Sequence, residues 1–329
     1  MNFICIDLEG PLSPQDNAYE LMKLFPDGER VFEVISRYDD LLALEGREDY
    51  EPGDTLALIV PFLIYHGISE GDILRLSERA GLVEGARELI GGLNARGWKV
   101  FCISTSYEQY AHRIAHRVGI APENVSSTRF PLDKFRRELE KEDLFQVAQI
   151  ERNILRMRPF VDDTVIKETL NRFFWSDLPP TKLGEVMKRV KPVGGNRKVE
   201  ALKGFAEDRG MPLSKVVVVG DSITDARMLE TVNNARGLAI AFNANEYALP
   251  HSTLGLASTH LSDLAPVLEA WERGGRREVE RLVKERETSG GIGNRGHFHW
   301  LAGRADFSEP LRIHKLIRRI VREEAAKLG

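Results

Sequence analysis

Cysteine is scarce: Cys5 and Cys102 are the only two in 329 residues. Two cysteines do not make the disulfide framework of a small secreted fold. Long apolar runs are missing as well. The longest, residues 56–65, is broken by Pro61 and falls far short of the ~20 residues that span a bilayer. The opening stretch has no basic segment, and Asp7 interrupts its apolar run, so no signal peptide is visible. Neither sign of charge dominates: Lys and Arg number 46 against 50 Asp and Glu, a net charge of −4. That leaves no basic footprint for nucleic acid. A cytoplasmic, soluble protein is expected, with neither nucleic acid nor membrane as partner.

What is present is the composition of a globular chain, 42% hydrophobic and 29% charged. The length allows about two domains, or one core with large insertions. Charge is uneven along the chain. Residues 271–329 carry 14 Lys and Arg against 9 Asp and Glu, while the remainder carries 32 against 41. The interleaved signs of this tail fit a solvated helical extension, and its surplus of basic residues suits an acidic partner or a second copy of the chain.

Four short apolar runs predict buried strands: Phe3–Ile6, residues 99–103, residues 216–219 and Leu238–Phe242. Runs without polar alternation suit strands covered on both faces, as in a parallel sheet. Helical patterns lie between them, at 83–97, 198–209 and 224–233, and this alternation predicts a doubly wound α/β sheet. Two stretches break the alternation. Residues 13–82 read as helices at 19–24, 30–44, 55–66 and 70–80, and residues 136–195 as helices at 136–156, 164–174 and 182–189. The expected division is a core of 1–12, 83–135 and 196–271, a helical cap at 13–82, a second helical insertion at 136–195, and a C-terminal extension at 272–329. In that extension a helix at 276–287, a Gly-rich turn at 289–296 and a last helix at about 309–327 are expected.

Ligands of open α/β sheets bind where strands deliver their carboxyl ends. Three predicted strands end in polar groups: Asp7 and Glu9, then Ser104-Thr105-Ser106, then Asp221 to Asp225. Lys198 opens the helix before the third. Carboxylates, a hydroxyl and a lysine meeting at one point suit a Mg²⁺ ion that also holds a phosphate, since Mg²⁺ prefers carboxylate, water and phosphate oxygens.

These residues resemble the motifs of the haloacid dehalogenase superfamily, in its phosphoserine-phosphatase-like branch. Asp7-Leu8-Glu9-Gly10 is similar to its Asp-x-Asp-Gly first motif, Ser104 to the second, Lys198 to the third, and Gly220-Asp221-Ser222-Ile223-Thr224-Asp225 to the fourth. Lys188 and Lys191 are rivals for the third. The resemblance spans about residues 1–135 and 196–271. It implies a Mg²⁺-dependent phosphatase, or a phosphotransferase, acting on a small phosphorylated metabolite through an aspartyl-phosphate on Asp7. It further implies Asp7, Asp221, Asp225 and the Glu9 carbonyl as metal ligands, Ser104, Thr105 and Lys198 as phosphate-binding groups, and Glu9 as acid and base. Glu9 replaces the commoner Asp, and Pro11 a commoner Thr or Val. Residues 13–82 stand where the family carries a cap, with Asp16, Glu20, Arg37 and Arg47 as candidates to read the leaving group.

The opposing reading is a binding or scaffold subunit that keeps the fold with little catalysis and meets an oligomeric or protein partner through 136–195 or the extension. Two weaker signals are set aside. Gly291-Ile292-Gly293-Asn294-Arg295-Gly296 matches G-x-G-x-x-G but follows a charged helix instead of a strand. His297 and His299 share a strand face, yet two histidines make a poor zinc site.

Overall fold

The computed structural model describes residues 2–157, 162–288 and 296–322. Seven strands form one sheet in the order β3-β2-β1-β4-β5-β6-β7. They are β1 (Phe3–Ile6), β2 (Lys99–Tyr107), β3 (Val125–Thr128), β4 (Val216–Gly220), β5 (Leu238–Phe242), β6 (Leu254–Ala257) and β7 (His297–Trp300). The first six pair in parallel, and β7 runs antiparallel to β6. The strands read from uninterrupted apolar runs, β1, β4 and β5, are buried at every position. The parallel sheet expected from the sequence is present. The extension, expected to be purely helical, also supplies β7.

Helices cover both faces. The first insertion carries α1 (Asn17–Met22), α2 (Gly28–Leu44), α3 (Thr55–Leu58), α4 (Val60–Tyr65) and α5 (Glu70–Arg79). Sequence marks their starts: Asp16 caps α1, Ser69 and Asp72 form a capping box on α5, and Pro61 occupies the first turn of α4. Next come α6 (Ala86–Ala95) and α7 (Glu108–Val118). Helix α8 (Leu132–Arg137) straddles the expected start of the second insertion, and α9 (Phe145–Arg156), α10 (Asp163–Arg172) and α11 (Lys182–Arg189) lie within it. One helix expected over 136–156 is therefore two, α8 and α9. The core resumes with α12 (Asn196–Glu207), α13 (Ala226–Asn234) and α14 (Ala265–Thr288), which kinks at Gly274 and Gly275, and closes with α15 (Ser308–Arg322). The turn expected at 289–296 and the glycine pattern at 291–296 lie, apart from Gly296, outside the described residues.

The two insertions form one helical layer. Tyr38 on α2 donates to Asn171 on α10 at 2.6 Å, and the Trp175 indole donates to the Tyr38 hydroxyl at 2.6 Å. Arg37 pairs with Asp163, and His66 with Glu151. Apolar residues of both insertions share a single buried cluster with one face of the sheet. No single helix among the described residues is long and apolar enough to cross a membrane.

Candidate active site

Register alone brings the polar strand ends together. Ile6 pairs with Cys102 on one side and Val219 on the other. Asp7 therefore follows one residue beyond a point from which Ser104 and Asp221 follow by two, on strands ~4.8 Å apart. The 214 positions between Asp7 and Asp221 vanish: carboxylate oxygens of Asp7, Asp221 and Asp225 lie within 4.8 Å of one another, and all three residues are buried. The turn after β1 is tight. Gly10 has φ +98°, and a Cβ there would stand 2.3 Å from Asp221 Oδ2, so the position admits no side chain. Pro11 sits comfortably, because the turn is closed by the Gly10 N–H to the Ser13 carbonyl at 2.7 Å and Leu12 N–H to the Leu8 carbonyl at 3.0 Å.

Lys198, on the first turn of α12, is fully buried, and its Nζ lies 2.8 Å from Asp7 Oδ1 and 2.7 Å from Asp225 Oδ1. An ion pair this close contributes roughly 4 kcal/mol or more at an effective dielectric near 20. Three buried ions also each carry a desolvation cost of several kcal/mol, so the pairs offset burial more than they stabilise the fold. Burial lowers the lysine pKa, but Asp225 and Asp7 hold it above the ordinary range. Lys188 and Lys191 are exposed. Asp225 is fixed by its second oxygen, which accepts the Asp221 N–H at 2.9 Å and the Ser222 N–H at 3.2 Å. Burial, then Asp225, push the Asp7 carboxyl well up, against Lys198.

Glu9 is held by the Ser106 hydroxyl at 2.5 Å and the Asn17 N–H at 2.9 Å, both on Oε1. Burial and then Asp16 push its pKa up to about 7, against these hydrogen bonds. A carboxyl in that range gives and takes protons near neutrality. Ser104 is buried and accepts the Ser106 N–H at 3.1 Å. Thr105 donates to the Val193 carbonyl at 3.1 Å and lines a cleft of about 130 Å³ together with Asp7, Glu9 and Asp16. A loop of the first insertion borders this cleft: Gly53, φ +95°, leaves room for the Thr105 methyl, and Glu51 and Asp54 bind Asn196 and Arg197 at the start of α12. Of the four cap residues picked as readers of a leaving group, only Asp16 lines the cleft. Glu20 pairs with Lys23, Arg37 with Asp163, and Arg47 stacks on Trp175.

Among the cleft residues not picked from the sequence, two carry charge to Asp221. Arg318 and Arg322 project from α15 and both donate to Asp221 Oδ2, Arg322 at 3.1 Å. Arg322 also reaches the Pro14 carbonyl at 3.3 Å, and Arg318 the Asn243 carbonyl at 3.3 Å. Two of the tail's basic residues thus meet an acidic group of the same chain. A signal existed in the sequence: Pro310, His314, Arg318 and Arg322 recur every four residues, on one helical face, and all four are buried.

A divalent cation fits this donor set. Three buried carboxylates offer hard oxygens, and Asp221 Oδ1 is buried with no hydrogen-bond partner.

The chain matches no established family profile. A gene product of Archaeoglobus fulgidus of known structure is 31% identical, with TM-score 0.85, over 100% of this chain and 99% of that one. A curated phosphoserine phosphatase from Archaeoglobus fulgidus is 24% identical over 268 residues, which are 81% of this chain but only 59% of the relative. The chain therefore spans about three-fifths of that relative's length. A phosphoserine phosphatase solved as an analogue of its phospho-aspartyl intermediate shares the fold, with TM-score 0.52 and 19% identity over 80% of this chain and 97% of that one.

Proposed function

The chain belongs to the haloacid dehalogenase superfamily, in its phosphoserine-phosphatase-like branch, and from that premise we propose that it is a Mg²⁺-dependent phosphohydrolase of small phosphomonoesters. The observation that carries the reading is the buried constellation of Asp7, Lys198, Asp225 and Asp221, in which Asp221 Oδ1 is buried without a hydrogen-bond partner.

In this reading Asp7, Asp221, Asp225 and the Glu9 carbonyl would hold the ion, which would offset repulsion between the anionic nucleophile and the anionic phosphate. Asp7 attacks phosphorus in line and becomes an aspartyl-phosphate. Glu9 gives its proton to the departing alkoxide, then takes one from the water that hydrolyses the acyl phosphate. Lys198, Ser104 and Thr105 hold the phosphoryl oxygens, a role that is positioning and electrostatics. Residues 13–82 act as the cap that excludes water, with Asp16 at the leaving-group end. A cleft of about 130 Å³ supports a small substrate, being well below the ~300–1,000 Å³ of drug-sized sites.

Hydrolysis of p-nitrophenyl phosphate and a panel of phosphomonoesters, phosphoserine among them, tests the reading. Turnover with Mg²⁺ that disappears with EDTA is the expected result. Product partition with an added acceptor alcohol separates hydrolase from phosphotransferase. A wild-type protein inert on every ester would favour the scaffold reading.

A further inference from the structure

Glu9 is one methylene longer than the commoner Asp of its motif, and each added rotatable bond makes a side chain harder to hold in one direction. Two groups of the chain answer that freedom. The Ser106 hydroxyl donates to Glu9 Oε1 at 2.5 Å, and the Asn17 N–H donates to the same oxygen at 2.9 Å. Glu9 lines the cleft, so with both donors on Oε1 it is Oε2 that is left to meet a ligand there. Ser106 is fully buried and does not border the cleft, so it can act there only through Glu9.

The backbone explains how a hydroxyl comes to stand beside Glu9. Strands β2 and β3 pair at Ile103 and Ser126 and then fall out of step: β2 runs on from Ile103 to Tyr107 while β3 runs only from Ser126 to Thr128. The surplus is the Ser104-Thr105-Ser106 segment, which leaves the ladder as bulges beside active sites do when they re-aim a side chain. This departure is pinned on one side. The Thr128 hydroxyl donates to the Thr105 carbonyl at 2.5 Å and accepts the Val193 N–H at 3.0 Å, while the Thr105 hydroxyl donates to the Val193 carbonyl at 3.1 Å. The Ser106 N–H donates to Ser104 Oγ at 3.1 Å, which leaves the hydrogen of that hydroxyl to donate elsewhere.

We infer that Ser106 is a positioning residue for Glu9: its hydroxyl, together with the Asn17 N–H, fixes Oε1 so that Oε2 meets the leaving-group oxygen and then the attacking water. The inference rests on the acid–base role of Glu9 in the proposed reaction. A misplacement of about 1 Å can cost on the order of 10²-fold in rate, and Ser106 supplies one of two tethers, so its loss should cost less, about tenfold. A buried hydroxyl that merely found an acceptor in Glu9 would contribute to stability alone.

A double-mutant cycle separates the two roles. It compares kcat with Mg²⁺ on p-nitrophenyl phosphate for wild type, Ser106→Ala, Glu9→Gln and the double variant, with thermal melting of each. Ser106→Ala should lower kcat about tenfold beside Glu9 and by less than about twofold beside Glu9→Gln, where no proton is left to aim. Ser106→Cys, close in shape but a weaker donor, makes the same comparison if Ser106→Ala fails to fold. An active wild type whose Ser106 variants stay within twofold would overturn the inference and leave the phosphohydrolase standing. So would an equal loss in both backgrounds, which marks structural damage alone. Glu9→Gln with the activity of wild type would remove the role of Glu9 and with it that of Ser106. A wild type inert on every ester would remove the proposed function and this inference together.

Discussion

At the scale of single residues, Asp7 and Glu9 sit two positions apart and have separable roles in the proposed mechanism. Asp7→Asn removes the carboxylate proposed to accept the phosphoryl group, and turnover should be abolished. Glu9→Gln keeps the shape and the backbone carbonyl but removes the proton, so kcat on p-nitrophenyl phosphate should drop about 10²–10⁴-fold while folding persists. A Glu9→Gln protein within twofold of wild type would make Glu9 a turn residue held by Ser106 and Asn17 and nothing more. Asp7, Ser104 and Asp221 were legible because each follows a strand in fixed register, which places them at one point, whereas Lys198 was read from its place at the start of a helix. Arg318 and Arg322 were not legible that way. They arrive on a helix more than ninety residues after Asp221, and nothing local to them announces an active site.

At the scale of elements, legibility followed the uniformity of burial. The all-apolar runs of β1, β4 and β5 betray strands covered on both faces. Two of the three strands missed, β3 and β7, lack that signature, whereas β6 is buried throughout but is a four-residue run interrupted by glycine. β3, at the sheet edge, is Val-Ser-Ser-Thr and only partly buried; β6 contains Gly255, where a Cβ would lie 2.7 Å from His314 Nε2; β7 alternates histidine with aromatic residues. Helix α15 inverts the usual pattern, burying His314, Arg318 and Arg322 while Leu316 and Ile320 stay more than half exposed. Apolar periodicity therefore points to its wrong face. Helix α2 carries a different buried polar group. Burial pushes the Asp39 carboxyl up to about 7 from an ordinary 3.8, against hydrogen bonds from Tyr50 and Thr55. With the folded value raised, folding takes up a proton between about pH 4 and 7. The stability that Asp39 contributes is complete below that window and is lost as pH rises through it. Urea unfolding at pH 5 and pH 7 should show wild type weaker at pH 7, and Asp39→Asn should flatten that slope by up to about 1.4 kcal/mol per pH unit, one proton's worth. An unchanged slope would mean that Asp39 titrates alike in both states.

At the scale of the whole molecule, the two cysteines report whether the chain opens as one body. Cys5 and Cys102 are both fully buried, on the paired central strands β1 and β2, one residue apart in register. They look into different cores. Cys102 belongs to the cluster that continues into both helical insertions, whereas Cys5 belongs to the cluster beneath α12 and α13. Burial raises both thiol pKa values, so little reactive thiolate forms in the folded protein. Labelling thus waits on opening, and reaching either sulfur requires parting the middle of the sheet. Because the insertions share one continuous apolar cluster with the sheet, they are expected not to detach alone. Single-cysteine variants, Cys5→Ala and Cys102→Ala, treated with a thiol reagent across a low-urea series should then label slowly, at equal rates and with equal urea dependence once corrected for their own stabilities. Faster labelling of Cys102 with a shallower urea slope would show instead that the helical layer lifts from its face of the sheet while the other face stays closed. The cap would then be a separately opening unit, and access to Asp7 would be governed by that local opening and not by the stability of the fold.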